Sequence, residues 1–173
     1  MKPAPLSVIY DLADLSDGGA EVSISATDEQ RTNLAEWAGV DSVESFEAHV
    51  DLRRKSATRF TYDATLMANI TQSCVVTLEP VHAQLSLNVA RALHLVKLPP
   101  GGQFTEHELS ATADEGQEEI QDRHYDIAGP LLEEFSLAID PYPRAPGVVF
   151  KARKDKDAPE SPFAALKSLK KGG

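Results

Sequence analysis

Few side chains in this sequence could do chemistry, and they are scattered. Cys74 is the only cysteine. A thiolate can act as a nucleophile when a neighbouring base and a polarised pocket support it. The nearest histidine in sequence, His82, sits across one strand junction. The competing role for a lone thiol is to pack as a small hydrophobe. A structural zinc site takes four Cys or His ligands. Beside Cys74 the chain offers five dispersed histidines, His49, His82, His94, His107 and His124, none forming a compact ligand pair. No metal site and no cofactor are therefore expected. Glu118-Glu119 and Glu133-Glu134 are adjacent carboxylates, but neighbours in sequence do not face each other on a helix, and glutamates in a loop are mostly just solvated. No phosphate-binding glycine loop, Ser-His-Asp signature or nucleotide-binding fingerprint is present. Gly101-Gly102 after Pro99-Pro100 reads as a turn. The expectation is a protein with no catalytic residues and no small-molecule substrate, so a hydrolase is the weakest reading.

Binding chemistry is better represented. Asp140-Pro141-Tyr142-Pro143-Arg144 pairs a rigid, extended backbone with a tyrosine and an arginine. Tyrosine stacks on bases and arginine pairs with phosphate, which suits RNA. Alternatively, Tyr142 packs on a sheet and Arg144 pairs with an acid. Glu79-Pro80 marks a tight turn between strands, or a contact for a basic partner. The net charge of -10 is uneven. From Lys151 to Gly173 seven basic residues, among them Lys167, Lys170 and Lys171, face three acids, so this tail carries +4 and the remainder -14. Such a body attracts basic partners and the tail attracts phosphate; the acids also keep a protein soluble.

These residues need elements to hold them. Leu6, Val8, Tyr10 and Leu12 alternate as in a strand, Ser16-Asp17-Gly18-Gly19 is a turn, and residues 21–25 form a second short strand. Thr27 is placed as an N-cap with Gln30 in the capping-box position, and Gly39 is suited to end the helix, so the spacing predicts a helix over 28–38. From Val43 the period is two. Phe46, Ala48, Val50 and Leu52 form one run, Phe60 to Ile70 a second, and Val81 to Val89 a third, with short breaks between them. Short connections favour antiparallel neighbours. Residues 105–126, rich in acids and without periodicity, read as a mobile loop. Pro130 opens a second helix, whose apolar side includes Leu131, Leu132, Phe135 and Leu137-Ala138-Ile139, and Asp140-Pro141 ends it. The fold class is α+β: an antiparallel meander or partly closed barrel, covered by two or so helices. The globular domain spans 1–147. The basic tail over 148–173 reads as disordered, with Phe163, Leu166 and Leu169 spaced for one face of a helix that forms on a partner.

Three segments, in this order, carry a resemblance. They are Gln72-Ser73-Cys74-Val75-Val76-Thr77-Leu78-Glu79-Pro80, then Tyr125-Asp126-Ile127 leading into PLLEEFSLAI, then Asp140-Pro141-Tyr142-Pro143-Arg144-Ala145-Pro146-Gly147. Together they resemble the YceD family of large ribosomal RNA subunit accumulation proteins, in the versions found in alphaproteobacteria. The resemblance implies a non-enzymatic assembly factor supporting accumulation of 23S rRNA. Its partners would be 23S rRNA or the precursor large subunit, or a basic large-subunit ribosomal protein. Cys74, Leu78, Glu79, Pro80, Asp126, Asp140, Pro141, Tyr142 and Pro143 lie in the matching segments. Many relatives carry Cys-x-x-Cys where this chain has Cys74-Val75-Val76-Thr77, and a second cysteine pair where it has Asp140 to Arg144; here prolines and packing are expected to hold the junction. An acidic protein-binding module unrelated to ribosomes is the alternative. A lone cysteine, no basic and apolar leader and no long apolar run favour the cytoplasm and no membrane association.

Overall fold

The computed structural model describes residues 4–96 and 116–149. Its centre is a run of three long antiparallel strands, β3 (Ser42–Arg54), β4 (Arg59–Ser73) and β5 (Pro80–Leu95). These coincide with the three stretches of apolar alternation. Phe46, Ala48, Val50 and Leu52 on β3 and Phe60 to Ile70 on β4 are buried, while the residues between them are mostly exposed or half-exposed. One face of the sheet therefore holds the core and the other meets solvent. β2 (Ala20–Ser25) adds to β3 and β6 (Gln117–Ile120) to β5, giving the order β2-β3-β4-β5-β6 in an open sheet rather than a closed barrel.

Two helices cover the apolar face. The first, α1 (Asp28–Ala38), has the capping box expected from Thr27 and Gln30: each side chain accepts from the other's backbone N–H, at 3.3 and 2.9 Å. Gly39 ends it in the left-handed conformation, φ +70. The second, α2 (Gly129–Ala138), starts with Pro130 in its first turn and buries Leu131, Leu132 and Phe135. Leu137, expected on the apolar side, instead faces solvent, 80% exposed. Residues 131, 132 and 135 already define the buried stripe, and 137 falls on another side of a 3.6-residue helix. Phe135 meets Phe46 edge-to-face with ring centroids 5.4 Å apart, tying α2 to the middle of the sheet.

The acidic stretch over 105–126 departs from expectation where it is described. β6 (Gln117–Ile120) runs parallel to the end of β5, and β7 (His124–Asp126) pairs with β1 (Ile9–Asp11) in a separate two-stranded sheet. Both strands are short and draw their order from partners far away in sequence, so no local periodicity announces them. Ile120 and Tyr125 are their buried anchors. Tyr62 fastens this region to the main sheet: its hydroxyl donates to the Ile127 carbonyl at 2.9 Å and its ring packs edge-on to Tyr125. Residues 105–115 of that stretch, and the tail from residue 150 onward, lie outside the described residues.

Candidate functional site

Two surfaces gather the residues of interest. At one end of the sheet β4 runs out at Ser73 and a tight loop returns the chain to β5 at Pro80. Inside it the Cys74 N–H donates to the Glu79 carbonyl (2.8 Å) and the Leu78 N–H to the Cys74 carbonyl (2.9 Å). Leu78 sits at φ +62, a conformation that costs a non-glycine residue energy, and its side chain is 77% exposed. The turn itself lies at Val75–Thr77, Glu79 closes the loop through its carbonyl, and Pro80 begins β5.

The segment after α2 folds against this loop. The Val75 N–H donates to the Pro143 carbonyl at 2.9 Å, the Ala145 N–H to Cys74 Sγ at 3.4 Å, and the Gln72 amide to the Asp140 carbonyl at 2.9 Å. Asp140 closes its own turn by accepting from the Tyr142 N–H. Cys74, Leu78, Glu79 and Pro80 are thereby brought together with Asp140, Pro141, Tyr142 and Pro143. Pro143 and Cys74 are buried, whereas Tyr142 is 70% exposed and Arg144 is exposed. Tyr142 thus does not pack on the sheet, and Arg144 has no ion pair among the described residues. Asp126 belongs elsewhere: it accepts from Ser7 Oγ and from the backbone N–H groups of Val8 and Ala128, joining β1 to the start of α2. Lys167, Lys170 and Lys171 lie outside the described residues.

The thiol of Cys74 is held down to about 6 by hydrogen bonding from Thr77 and from the backbone N–H groups of Ala145, Thr77 and Val76, which outweighs the upward push of burial. His82 is not its base. That imidazole lies on the solvent face of β5, with Nδ1 hydrogen-bonded to Thr71 Oγ1 at 2.8 Å. A folded-state value below the ordinary 9.0 favours the native fold at high pH, and the gain disappears as pH falls through about 6. The melting temperature of the wild type relative to Cys74→Ala is expected to rise between pH 6 and pH 9. A difference that is flat across that window in a thermal scan would show that the thiol stays protonated in the fold.

The second surface is the open, polar face of the sheet, which the sequence did not single out. Strand register lines up Glu21, Asp51 and Asp63 directly across β2, β3 and β4. Like charges in facing positions repel, and the nearby cation, Arg53, reaches only to 3.9 Å from Asp51. The next row holds Ser23, His49, Thr65 and Asn88, and the last three, with Asp51 and Asp63, border a shallow hollow. Further along, a β-bulge between Val43 and Ser45 re-aims Glu44, which accepts from Ser42 Oγ and from Thr71 Oγ1 at 2.6 Å. Burial raises the Glu44 carboxyl, but these two hydroxyl bonds, a backbone hydrogen bond and the nearby His82 together hold it below the usual range. Among the described residues, no group of three or more His, Cys, Asp or Glu side chains is arranged to hold a metal ion, and no helix is long and apolar enough to cross a membrane.

Comparison with family models, with curated proteins and with solved structures returned no match. The α+β class and the open sheet therefore rest on the chain's own geometry.

Proposed function

We propose that this chain is a non-enzymatic assembly factor of the YceD type, supporting 23S rRNA accumulation by holding a basic protein of the large subunit. The sequence resemblance motivates the ribosomal setting. The observation that carries the mode of action is the row Glu21, Asp51, Asp63, three carboxylates in register across an open sheet face. Facing like charges cost stability and are relieved when a cationic partner settles over them. A second reading, contact with rRNA, is favoured by the exposure of Tyr142 and Arg144 on a rigid segment. The acidic body works against phosphate binding over most of the surface.

Cells depleted of the protein are expected to show a fall in the ratio of 23S to 16S rRNA, restored by the full-length chain. Complementation by Asp51→Asn/Asp63→Asn should be impaired if the partner is basic, and unimpaired if Tyr142 and Arg144 meet RNA instead. An unchanged ratio on depletion removes the ribosomal role.

A further inference from the structure

β5 is an interior strand for only a quarter of its length. It pairs with β4 from Pro80 to His94 without a register shift, yet on its other side β6 meets it only over Ala92–Leu95. Among the described residues, the edge over 80–91 has no second neighbour. Which backbone groups face that edge follows from the pleat. The Leu95 N–H donates to Thr58, on the β4 side, while the Val96 N–H donates to Ile120 of β6. Alternation along the regular strand then turns the N–H and C=O of His82, Gln84, Ser86, Asn88 and Ala90 outward.

Natural edge strands are blunted by lysine, by internal proline, by a bulge or by shortness. β5 is sixteen residues long and, apart from Pro80 at its first position, has neither lysine nor proline, and its pairing with β4 has no bulge. Its inward side chains Ala83, Leu85 and Leu87 remain only half-buried against the core. Beside them runs α2, whose Glu133 and Glu134 reach Arg91 of β5. Leu137, one turn beyond Glu133 and Glu134, projects on that same side and is 80% exposed. The result is a half-built layer: open backbone bonds at the rim and an apolar shelf beneath, with α2 alongside.

We infer that this edge receives an extended, basic segment of a partner protein as an additional strand, apolar side chains inward and cationic ones outward. The choice of a basic occupant rests on the function proposed above. A second copy is disfavoured because pairing two β5 edges brings together two chains of net charge -10. Strand addition draws its affinity from main-chain bonds and its selectivity from alternate side-chain positions, which is what this edge supplies.

The test uses the full-length chain and a blocked peptide of about ten residues alternating Lys and Val, long enough to span the open edge. Hydrogen exchange followed residue by residue should show new protection at His82, Gln84, Ser86, Asn88 and Ala90 and little change at the residues between them, which already bond to β4. Ser86→Pro removes an outward N–H and no β4 bond, so the fold should persist while affinity falls about tenfold or more. Should that variant misfold, the alternating pattern in the wild type still decides the matter. Protection that is uniform or absent, or equal binding by a folded Ser86→Pro, overturns the inference. So does protection of those five amides before peptide is added, which means that this chain or a second copy already covers the edge. Failure here with a fall in 23S on depletion leaves the assembly role standing; strand addition without any effect on 23S leaves only the edge.

Discussion

Phe135→Ala is expected to cost about 3–5 kcal/mol of folding stability, the range for emptying a fully buried aromatic site. Phe135 has no exposed surface, and its ring is the one that meets Phe46 edge-to-face at 5.4 Å. Such a loss is a large share of the roughly 5–15 kcal/mol that holds a domain together. The effect should not stop at α2. Ile127, just before that helix, accepts the Tyr62 hydroxyl, so loosening α2 also loosens the tie between the main sheet and the β1–β7 pair. Leu137→Ala, on the same helix but exposed, should change stability by less than about 0.5 kcal/mol. Urea unfolding of both variants makes the check. Similar midpoints for the two would mean that α2 is not docked through Phe135.

What could be read from sequence follows the range of the forces involved. The capping box at Thr27 and Gln30 is settled within four residues, and helix α1 occupies the predicted span. Alternation over β3, β4 and β5 reports a sheet with one buried face, because each strand repeats the signal many times over. β6 and β7 give no such signal. Four and three residues long, they are held by β5 and β1 and anchored by Ile120 and Tyr125, so the acids around them hide the order that distant partners impose. Leu137 departs from expectation for a different reason. Its apolar character suggests burial, but Leu131, Leu132 and Phe135 already complete the stripe that the sheet can cover.

The candidate surfaces divide in the same way. That Cys74 to Pro80 and Asp140 to Pro143 belong together was implied by the resemblance, and the bonds from Val75 to Pro143 and from Ala145 to Cys74 give the junction a physical basis without a second cysteine. The acidic row was not visible. Glu21, Asp51 and Asp63 are each unremarkable solvated acids until two strand registers set them side by side. Register depends on the turn at residues 55–58, where the N–H groups of Lys55 and Ser56 both donate to the Arg59 carbonyl. Which strand carries an open rim is equally hidden, since an absent neighbour leaves no mark on the strand's own pattern of side chains.

Gly19→Ala is expected to be nearly as damaging as the loss of Phe135, for a reason that involves no core side chain. Gly19 adopts φ +88 at the close of the turn from Ser16, where its N–H donates to the Ser16 carbonyl and its own carbonyl accepts from Ser16 Oγ. A Cβ there would stand 2.6 Å from the Leu52 carbonyl oxygen and 3.2 Å from Arg53 Cγ. Backbone strain and overlap with fixed backbone together cost about 3 kcal/mol. Gly39 separates the two contributions: its φ is +70, but an added Cβ would meet nothing within 4 Å. Gly39→Ala should therefore cost only about 1 kcal/mol, from backbone strain alone. Equal losses in urea melts would show that the turn can move aside from β3. The consequence for function follows from position. Gly19 immediately precedes β2, and Ala20 is paired with Leu52 at the very site of the clash. A turn that shifts to admit the methyl group pulls Glu21 out of line with Asp51 and Asp63. Gly19→Ala should then weaken binding of a basic partner beyond its effect on the folded population, whereas Gly39→Ala should leave the affinity of the folded chain unchanged.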